Sequence, residues 1–204
     1  DDYLYFGKEN PQHLADKMSA LTGMDVEIMP VSNSGAIIEA INNGNADIGF
    51  VDGAAAWLAW EVYDLDVLAA EWKFDQRTYY NAAAWVKKDS EIADAYLDDD
   101  PDTDPFALMN GKTSCHTGWL KSAGMLIPMG YLIGNGYAEV RGDPEEITSL
   151  RDTVTHFFNE DSSIPDGGTQ YSGYKGAMKC MMTDRGDVAL VKDTAYMLYC
   201  DENE

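Results

Sequence analysis

The stretch SCHTGWLKSAG, residues 114–124, joins a predicted strand to a predicted helix through a turn that contains glycine. The helix is expected to begin near Ser122, and the N–H groups at a helix N-terminus carry partial positive charge that can hold an anion. Thr117 adds a hydroxyl donor and Lys121 adds a full positive charge. The stretch therefore fits either an oxyanion-binding turn or a capped helix with a surface lysine.

Predicted strands and helices alternate on both sides of this stretch, which is typical of an α/β fold. Two α/β units joined by long strands around Tyr80 predict a hinged pair of subdomains, residues 1–80 and 81–204, with a ligand cleft between them. The turn-rich segment Asp161–Gly173 is expected to be a loop. Strands are predicted at Tyr3–Phe6, Val26–Val31, Ala46–Val51, Tyr79–Lys87, Lys112–His116 and Asp187–Val191, and helices at Pro11 to Gly23, Ser34 to Gly44, Ala54–Trp60, Ser122–Gly130, Pro144–Phe158 and Tyr174–Met182.

Charge is the most unusual feature of the composition. Thirty-six acidic residues outnumber fourteen basic ones and give a formal net charge of −22. Such a surface repels nucleic acid and anionic membranes, because phosphate contacts need lysine and arginine. The excess favours solubility, and a general attraction for cations is the other interpretation. The acidic run from Asp98 to Asp104 lacks the glycine and the closing glutamate of a calcium loop, so we expect a solvated loop there.

Export and redox signals are sparse. The longest apolar stretch, Met125–Ile133, is too short to span a bilayer and contains Pro128. The chain begins with Asp1 and Asp2 and carries no signal peptide, so we expect any export signal to have been removed. Three cysteines leave one unpaired after a single pair has formed.

The 114–124 stretch resembles the anion-binding turn of the transferrin family, in which a threonine and a basic residue four positions later hold carbonate. Three further regions resemble that family in the same order and spacing, so the likeness covers most of the chain. It implies a two-lobed α/β fold of the periplasmic-binding-protein type (type II) with a hinged ligand cleft. The three regions are Ala46–Gly53, similar to a strand ending in an aspartate ligand; Tyr79–Ser90, similar to a hinge strand with a tyrosine ligand; and Tyr174–Cys180 with Gly186–Lys192, similar to the second tyrosine ligand and its following strand.

Carried over by position, the resemblance implies that Asp52, Tyr80 and Tyr174 bind ferric iron. Iron(III) prefers anionic oxygen ligands, so carboxylate and phenolate suit it. A tyrosine phenol titrates near pH ~10, so the metal must drive its deprotonation and binding must release protons. Tyr79 is the rival of Tyr80, but counting back from Lys87 favours Tyr80, and strand alternation directs Tyr79 elsewhere. For each tyrosine, a core or cleft aromatic is the alternative interpretation.

The resemblance also implies how carbonate is held. The hydroxyl of Thr117, the charge of Lys121 and the N–H groups of Ala123 and Gly124 would surround it. The family usually has arginine where this chain has Lys121. Arginine holds a planar oxyanion through two parallel hydrogen bonds, whereas lysine is a point charge. We therefore expect weaker orientation of the anion and easier release.

Cysteine and histidine positions follow the family in part. The resemblance implies a disulfide between Cys115 and Cys180, which an oxidising compartment permits. Cys200 resembles a cysteine that pairs with a partner downstream, and the fourth protein ligand of the family, a histidine, would also lie downstream. We therefore expect the native polypeptide to continue beyond Glu204 and to complete the first subdomain, which the intact mass of the protein from its source would test. The histidines that do not occupy the ligand position are His13, His116 and His156.

These features predict an extracellular, cell-surface or periplasmic protein that binds Fe³⁺ with carbonate for iron uptake or transport, with a cell-surface receptor or membrane transporter as its partner. The alternative is the substrate-binding protein of an ABC transporter for phosphate-type or phosphonate-type oxyanions. Asp52 discriminates between them, because a carboxylate repels a trianion and binds a metal. We do not expect an enzyme: the adjacent Cys115 and His116 would point to opposite faces of a strand, and no hydrolase or nucleotide motif is present.

Overall fold

The computed structural model describes residues 11–31, 34–70, 72, 76–98, 100 and 102–200. The chain divides into two compact units, Asp1–Ala69 (unit 1) and Ala70–Glu204 (unit 2). The subdomain boundary expected between residues 80 and 81 stays a prediction. The strand expected at Tyr3–Phe6 lies outside the described residues.

Helices and strands are interspersed in unit 2, as the sequence predicts, whereas the described part of unit 1 contains helices only. Helix α1 begins at Pro11, which suits the first helical position, and ends before Gly23, whose φ of 73° favours glycine. The helices are α1 Pro11–Thr22, α2 Ser34–Asn42, α3 Gly53–Tyr63, α4 Glu91–Leu97, a 3₁₀ helix Ala107–Met109, a π-helix Ser122–Leu126, α5 Ile127–Gly134, α6 Ser149–Phe157, α7 Gly173–Met182 and α8 Ala195–Cys200, and the strands are β1 Ala82–Val86, β2 Ser114–Cys115 and β3 Val188–Lys192.

In its described part, unit 1 consists of helices α1 to α3 and connecting segments. The predictions of strands at Val26–Val31 and Ala46–Val51 are wrong, because neither segment pairs with another strand there. A strand needs a partner to take its backbone hydrogen bonds, and alternating apolar residues alone do not supply one. Phe50 is accordingly 81% exposed. Gly49 nevertheless packs closely on α2, where an added Cβ would lie 2.2 Å from Cγ2 of Ile37.

Unit 2 contains a three-stranded sheet with the order β1-β3-β2. The central strand β3 runs antiparallel to β1 and parallel to β2, with Ala82 opposite Lys192 and Ser114 opposite Val188. The chain therefore enters β1 at the same edge of the sheet at which it leaves β2 and β3. Four of the five residues of β3 are buried, which explains its uninterrupted apolar sequence.

Both faces of this sheet are covered by helices. Successive residues of β3 point to opposite faces, so Val188 and Leu190 belong to one buried cluster and Ala189 and Val191 belong to another. The first cluster includes residues of the π-helix, α5 and α6, and the second includes residues of α7 and Ala195 of α8. The sheet of unit 2 is thus the middle layer of a mixed α/β architecture.

A disulfide ties β2 to α7. Cys115 and Cys180 are bonded, with Cα atoms 6.0 Å apart, and both side chains are at most 1% exposed. The structure therefore contains the disulfide that the family resemblance implies. It joins the segment that carries Thr117 to the helix that carries Tyr174.

Replacing both Cys115 and Cys180 by alanine is expected to destabilise the protein strongly. The bond closes a loop across 65 positions, and a loop of this length restricts the unfolded chain enough to contribute about 4 kcal/mol. Guanidinium unfolding of the double variant measures the loss. A Cys200→Ala variant, which keeps the bond, serves as the control. Equal free energies of unfolding for the two variants, or free thiols at both positions in non-reduced peptide mapping, would contradict the expectation.

Candidate anion-binding and metal-binding site

The turn after β2, residues 117–124, has an unusual backbone. Thr117, two residues after β2, is 5% exposed. Gly118 has a φ of 143°, and a Cβ there would lie 3.2 Å from the carbonyl oxygen of Pro165. Leu120 has a φ of 56°, in the left-handed region of backbone conformation that residues other than glycine seldom adopt. Lys121 is exposed and returns to extended backbone immediately before the π-helix. Strain of this kind often accompanies binding sites.

Thr117 packs directly on the backbone of Gly124. A Cβ added to Gly124 would lie 1.9 Å from Oγ1 of Thr117, so only glycine fits at this position. Ala123 and Gly124 are both buried and lie in the first turn of the π-helix, where N–H groups have no partner within the helix. The threonine hydroxyl therefore lies against the first turn of the π-helix, at Gly124.

The helix expected over Ser122–Gly130 begins as a π-helix and becomes α-helical only at Ile127. Short π-helical segments are rare in proteins, and many of those that occur lie at functional sites. Pro128 supplies the physical reason, because it has no N–H to donate to the carbonyl of Gly124 as an α-helix would require. His116 takes over this role, with Nδ1 lying 2.7 Å from the Gly124 oxygen.

His116 is fully buried beside the turn. Since a carbonyl oxygen can only accept, Nδ1 donates to Gly124, and Nε2 can then accept from the hydroxyl of Ser114, 2.8 Å away. Burial lowers the pKa of His116 to about 4, although the hydrogen bond to Gly124 acts in the opposite direction. The sequence did not predict this contact between His116 and Gly124. The signal that could have found it is Pro128, four positions after Gly124.

Tyr174 lies next to the turn at the start of α7. The N–H of Gly173 donates to the carbonyl of Thr117 at 2.8 Å, which brings the beginning of α7 against the end of β2. The ammonium of Lys192, at the end of β3, lies 5.0 Å from the centre of the half-buried Tyr174 ring. This contact is a cation–π interaction. The structure thus groups Thr117, Tyr174 and Lys192 at one edge of the sheet.

Tyr80 precedes β1 at the same edge. The adjacent Asn81 accepts a backbone hydrogen bond from Asp193 at 2.9 Å. The Asp193 carboxylate accepts from Arg77 at 3.0 Å and from the Asn81 amide at 3.2 Å. Burial alone would raise the pKa of Asp193, but the hydrogen bonds from Arg77 and Asn81 outweigh it and lower the pKa. Tyr80 is half-buried whereas Tyr79 is 60% exposed.

Asp52 belongs to unit 1 and has a structural role there. It is the N-cap of α3, with Oδ1 accepting from the N–H groups of Ala54 and Ala55, both at 3.1 Å. Such a cap stabilises a helix by satisfying donors that the helix leaves unpaired. Within the described part of the chain, no group of three or more histidine, cysteine, aspartate or glutamate side chains is arranged to hold a metal ion.

The residues that could suggest nucleophilic catalysis are inaccessible. Cys115 is bonded to Cys180, and the hydrogen-bonded pair Ser114 and His116 is 0% exposed. A nucleophile must reach its substrate, which neither group can do. Among the described helices, none is long and apolar enough to cross a membrane.

The α/β fold and the turn after β2 are typical of one class of proteins, the periplasmic-binding-protein-like α/β proteins. A family model identifies the family within this class. The model of the ABC transporter phosphonate periplasmic substrate-binding protein matches residues 8–204. The chain belongs to this family, whose members are binding proteins rather than enzymes.

Curated relatives of the chain are transferrins. It is 35% identical to ovotransferrin of Gallus gallus, a match covering 77% of this chain and 24% of that protein. It is 32% identical to serotransferrin of Gadus morhua, covering 76% of this chain and 25% of the relative. The solved structure of transferrin 1 from Manduca sexta matches 92% of this chain and 33% of its own, with a TM-score of 0.54 and 18% identity. The chain thus spans about a quarter of the length of these curated relatives. The predicted fold class and the resemblance to transferrins are confirmed.

The left-handed conformation of Leu120 predicts a difference between two substitutions. Leu120→Gly and Leu120→Ala both remove the side chain, but only glycine adopts a φ of 56° without strain. The glycine variant is therefore expected to be more stable than the alanine variant by about 1 kcal/mol. Urea unfolding of the two proteins measures the difference. An alanine variant as stable as the glycine variant would show that Leu120 is not left-handed.

Burial of His116 predicts a specific loss of stability in acid. The pKa of His116 is about 4 in the folded protein and about 6.5 in an unfolded chain. The unfolded chain therefore binds a proton first, and the free energy of unfolding falls between about pH 6.5 and pH 4, by about 3 kcal/mol in total. The measurement is the difference between the wild-type protein and His116→Gln across this range, which cancels the other titrating groups. Parallel pH profiles would contradict it.

Proposed function

We propose that the protein binds ferric iron together with carbonate. The metal ligands are the carboxylate of Asp52 and the phenolates of Tyr80 and Tyr174. Iron(III) is a hard cation, and anionic oxygen ligands suit it. The carbonate ligands belong to the turn after β2 and are the Thr117 hydroxyl, the Lys121 ammonium and the N–H groups of Ala123 and Gly124.

One hydrogen bond carries the proposal. The N–H of Gly173 donates to the carbonyl of Thr117 at 2.8 Å, so the residue before Tyr174 touches the residue that begins the turn. An anion held by Thr117 would therefore lie near a metal held by Tyr174. The disulfide supports the same arrangement, because it joins Cys115, which precedes Thr117, to Cys180, which follows Tyr174 on α7.

The electrostatics of the turn favour a small anion paired with a metal. Lys121 and Lys192 bring positive charge to the sheet edge of a protein whose formal net charge is −22. Lysine orients a planar anion less firmly than arginine, so carbonate bound here should be released readily. Acid should release the metal as well, because protons compete for carbonate and then for the phenolates.

Location and partners follow from the same features. The disulfide is of a kind that persists in oxidising compartments, and the family model describes a periplasmic protein. We propose a location outside the cytoplasm, either at the cell surface, in the periplasm or as a secreted protein. There it would serve iron uptake or transport and deliver its cargo to a cell-surface receptor or a membrane transporter.

A second candidate is an oxyanion-binding protein that serves an ABC transporter without a metal. The match of the phosphonate-binding family over residues 8–204 favours it, and the donors of Thr117, Ala123 and Gly124 would suit phosphate or a phosphonate. The carboxylate of Asp52 weighs against it, because a carboxylate next to a highly charged anion is repelled.

Replacing Tyr174 by phenylalanine tests the proposed ligand set. Two phenolates on iron(III) should give a charge-transfer band in the visible spectrum, and Tyr174→Phe removes one phenolate with little change of shape. The band should weaken, and iron affinity should fall by at least ~10-fold, since even outer-shell changes cost this much. The measurement is a spectroscopic titration of metal-free protein with Fe³⁺ in bicarbonate.

Tyr79→Phe is the matched control and should change neither colour nor affinity, because Tyr79 is 60% exposed and outside the proposed ligand set. Equal losses for Tyr79→Phe and Tyr174→Phe would refute the ligand assignment. If iron with bicarbonate gives no band in the wild-type protein while phosphate or a phosphonate raises its melting temperature, the second candidate is correct.

A further inference from the structure

The imidazole of His116 connects β2 to the π-helix inside unit 2. Its Nδ1 donates to the carbonyl of Gly124 at 2.7 Å, and its Nε2 lies 2.8 Å from the hydroxyl of Ser114. The ring is 0% exposed and meets the ring of Phe158 edge to face, with centroids 6.0 Å apart. Both ring nitrogens are thus used and the ring is packed in place, which fixes its position.

Gly124 needs such a support. The contact with Thr117 excludes every side chain at this position, since a Cβ would lie 1.9 Å from the threonine oxygen. Glycine satisfies this requirement but has the most backbone freedom of any residue. Pro128 removes the N–H that would hold the Gly124 carbonyl in an α-helix. The hydrogen bond from His116 is therefore a contact from outside the helix that holds the Gly124 carbonyl in its orientation.

We infer that His116 is a positioning residue for oxyanion binding. By holding Gly124, it keeps the Thr117 hydroxyl and the N–H groups of the first turn in one arrangement before the anion arrives. Donors that are ordered in advance bind more tightly, because binding does not have to order them. The inference rests on the anion site proposed at Thr117 and Gly124, but it does not require a metal.

Three substitutions separate the two hydrogen bonds. His116→Leu removes both. His116→Asn keeps a donor at the place of Nδ1, because the asparagine amide nitrogen is at the same number of bonds from the backbone. Ser114→Ala removes only the partner of Nε2. Circular dichroism at the working temperature verifies that each variant is folded.

The readout is the bicarbonate concentration that gives half of the visible band at fixed Fe³⁺. His116→Leu should raise it by about tenfold, as the loss of an outer-shell partner does. His116→Asn should restore it to within about threefold of the wild type, and Ser114→Ala should change it less than His116→Leu does. A purely structural role would lower the melting temperature of these variants without changing the bicarbonate dependence of folded protein.

The outcomes separate this inference from the proposed function. An iron band in the wild type with unchanged bicarbonate dependence in folded His116→Leu overturns the role of His116 and leaves iron binding intact. If the wild type gives no iron band, iron binding fails, and calorimetry with inorganic phosphate makes the same comparison of variants. A wild type that binds neither anion overturns both.

A fourth variant covers the case in which His116→Leu does not fold. His116→Gln places its amide where Nε2 was and removes the hydrogen bond that His116 donates to the Gly124 carbonyl. It should bind the anion about tenfold more weakly than His116→Asn. Equal anion affinities for the two amide variants would overturn the inference.

Discussion

The contact between the side chain of Thr117 and the backbone of Gly124 constrains everything around the proposed site. It admits only glycine at position 124, where a Cβ would lie 1.9 Å from the threonine oxygen. Around it, the chain adopts conformations that it would otherwise avoid, including a left-handed Leu120 and a π-helix. A strained backbone conformation persists where several surrounding contacts hold it in place. Here the surroundings are the fully buried His116 and the disulfide at Cys115.

The topology of the sheet explains why distant segments meet at this turn. Because β1 is antiparallel to β3 while β2 is parallel to it, Tyr80 precedes β1 at the edge where Thr117 follows β2 and where β3 ends at Lys192. Ligands of α/β proteins commonly bind at the carboxyl ends of strands. Helix α7 adds Tyr174 through the hydrogen bond from Gly173 to Thr117. Four regions far apart in sequence thus supply groups to one edge.

Local signals in the sequence predicted part of this arrangement. The bounds of α1, the buried strand β3 and the turn after β2 all follow from caps, glycines and apolar runs, whereas the ligand residues depended on the resemblance to transferrins. Val26–Val31 and Ala46–Val51 have strand-like patterns but no strand in the structure, because pairing is a property of two segments and a local pattern describes one. The bond from His116 to Gly124 escaped prediction for a similar reason. The strand pattern around His116 gave no indication that the carbonyl of Gly124, eight positions later, lies within hydrogen-bond distance of the imidazole.

The central claim is that one anion and one trivalent metal occupy neighbouring positions and depend on each other. Nuclear magnetic resonance with ¹³C-labelled bicarbonate and diamagnetic Ga³⁺ in place of Fe³⁺ tests it directly. The account predicts a bound carbonate signal that grows with Ga³⁺ until one carbonate is held per metal ion, and that is absent without the metal. Metal that binds without any bound carbonate signal, or the same anion signal with and without metal, would contradict it.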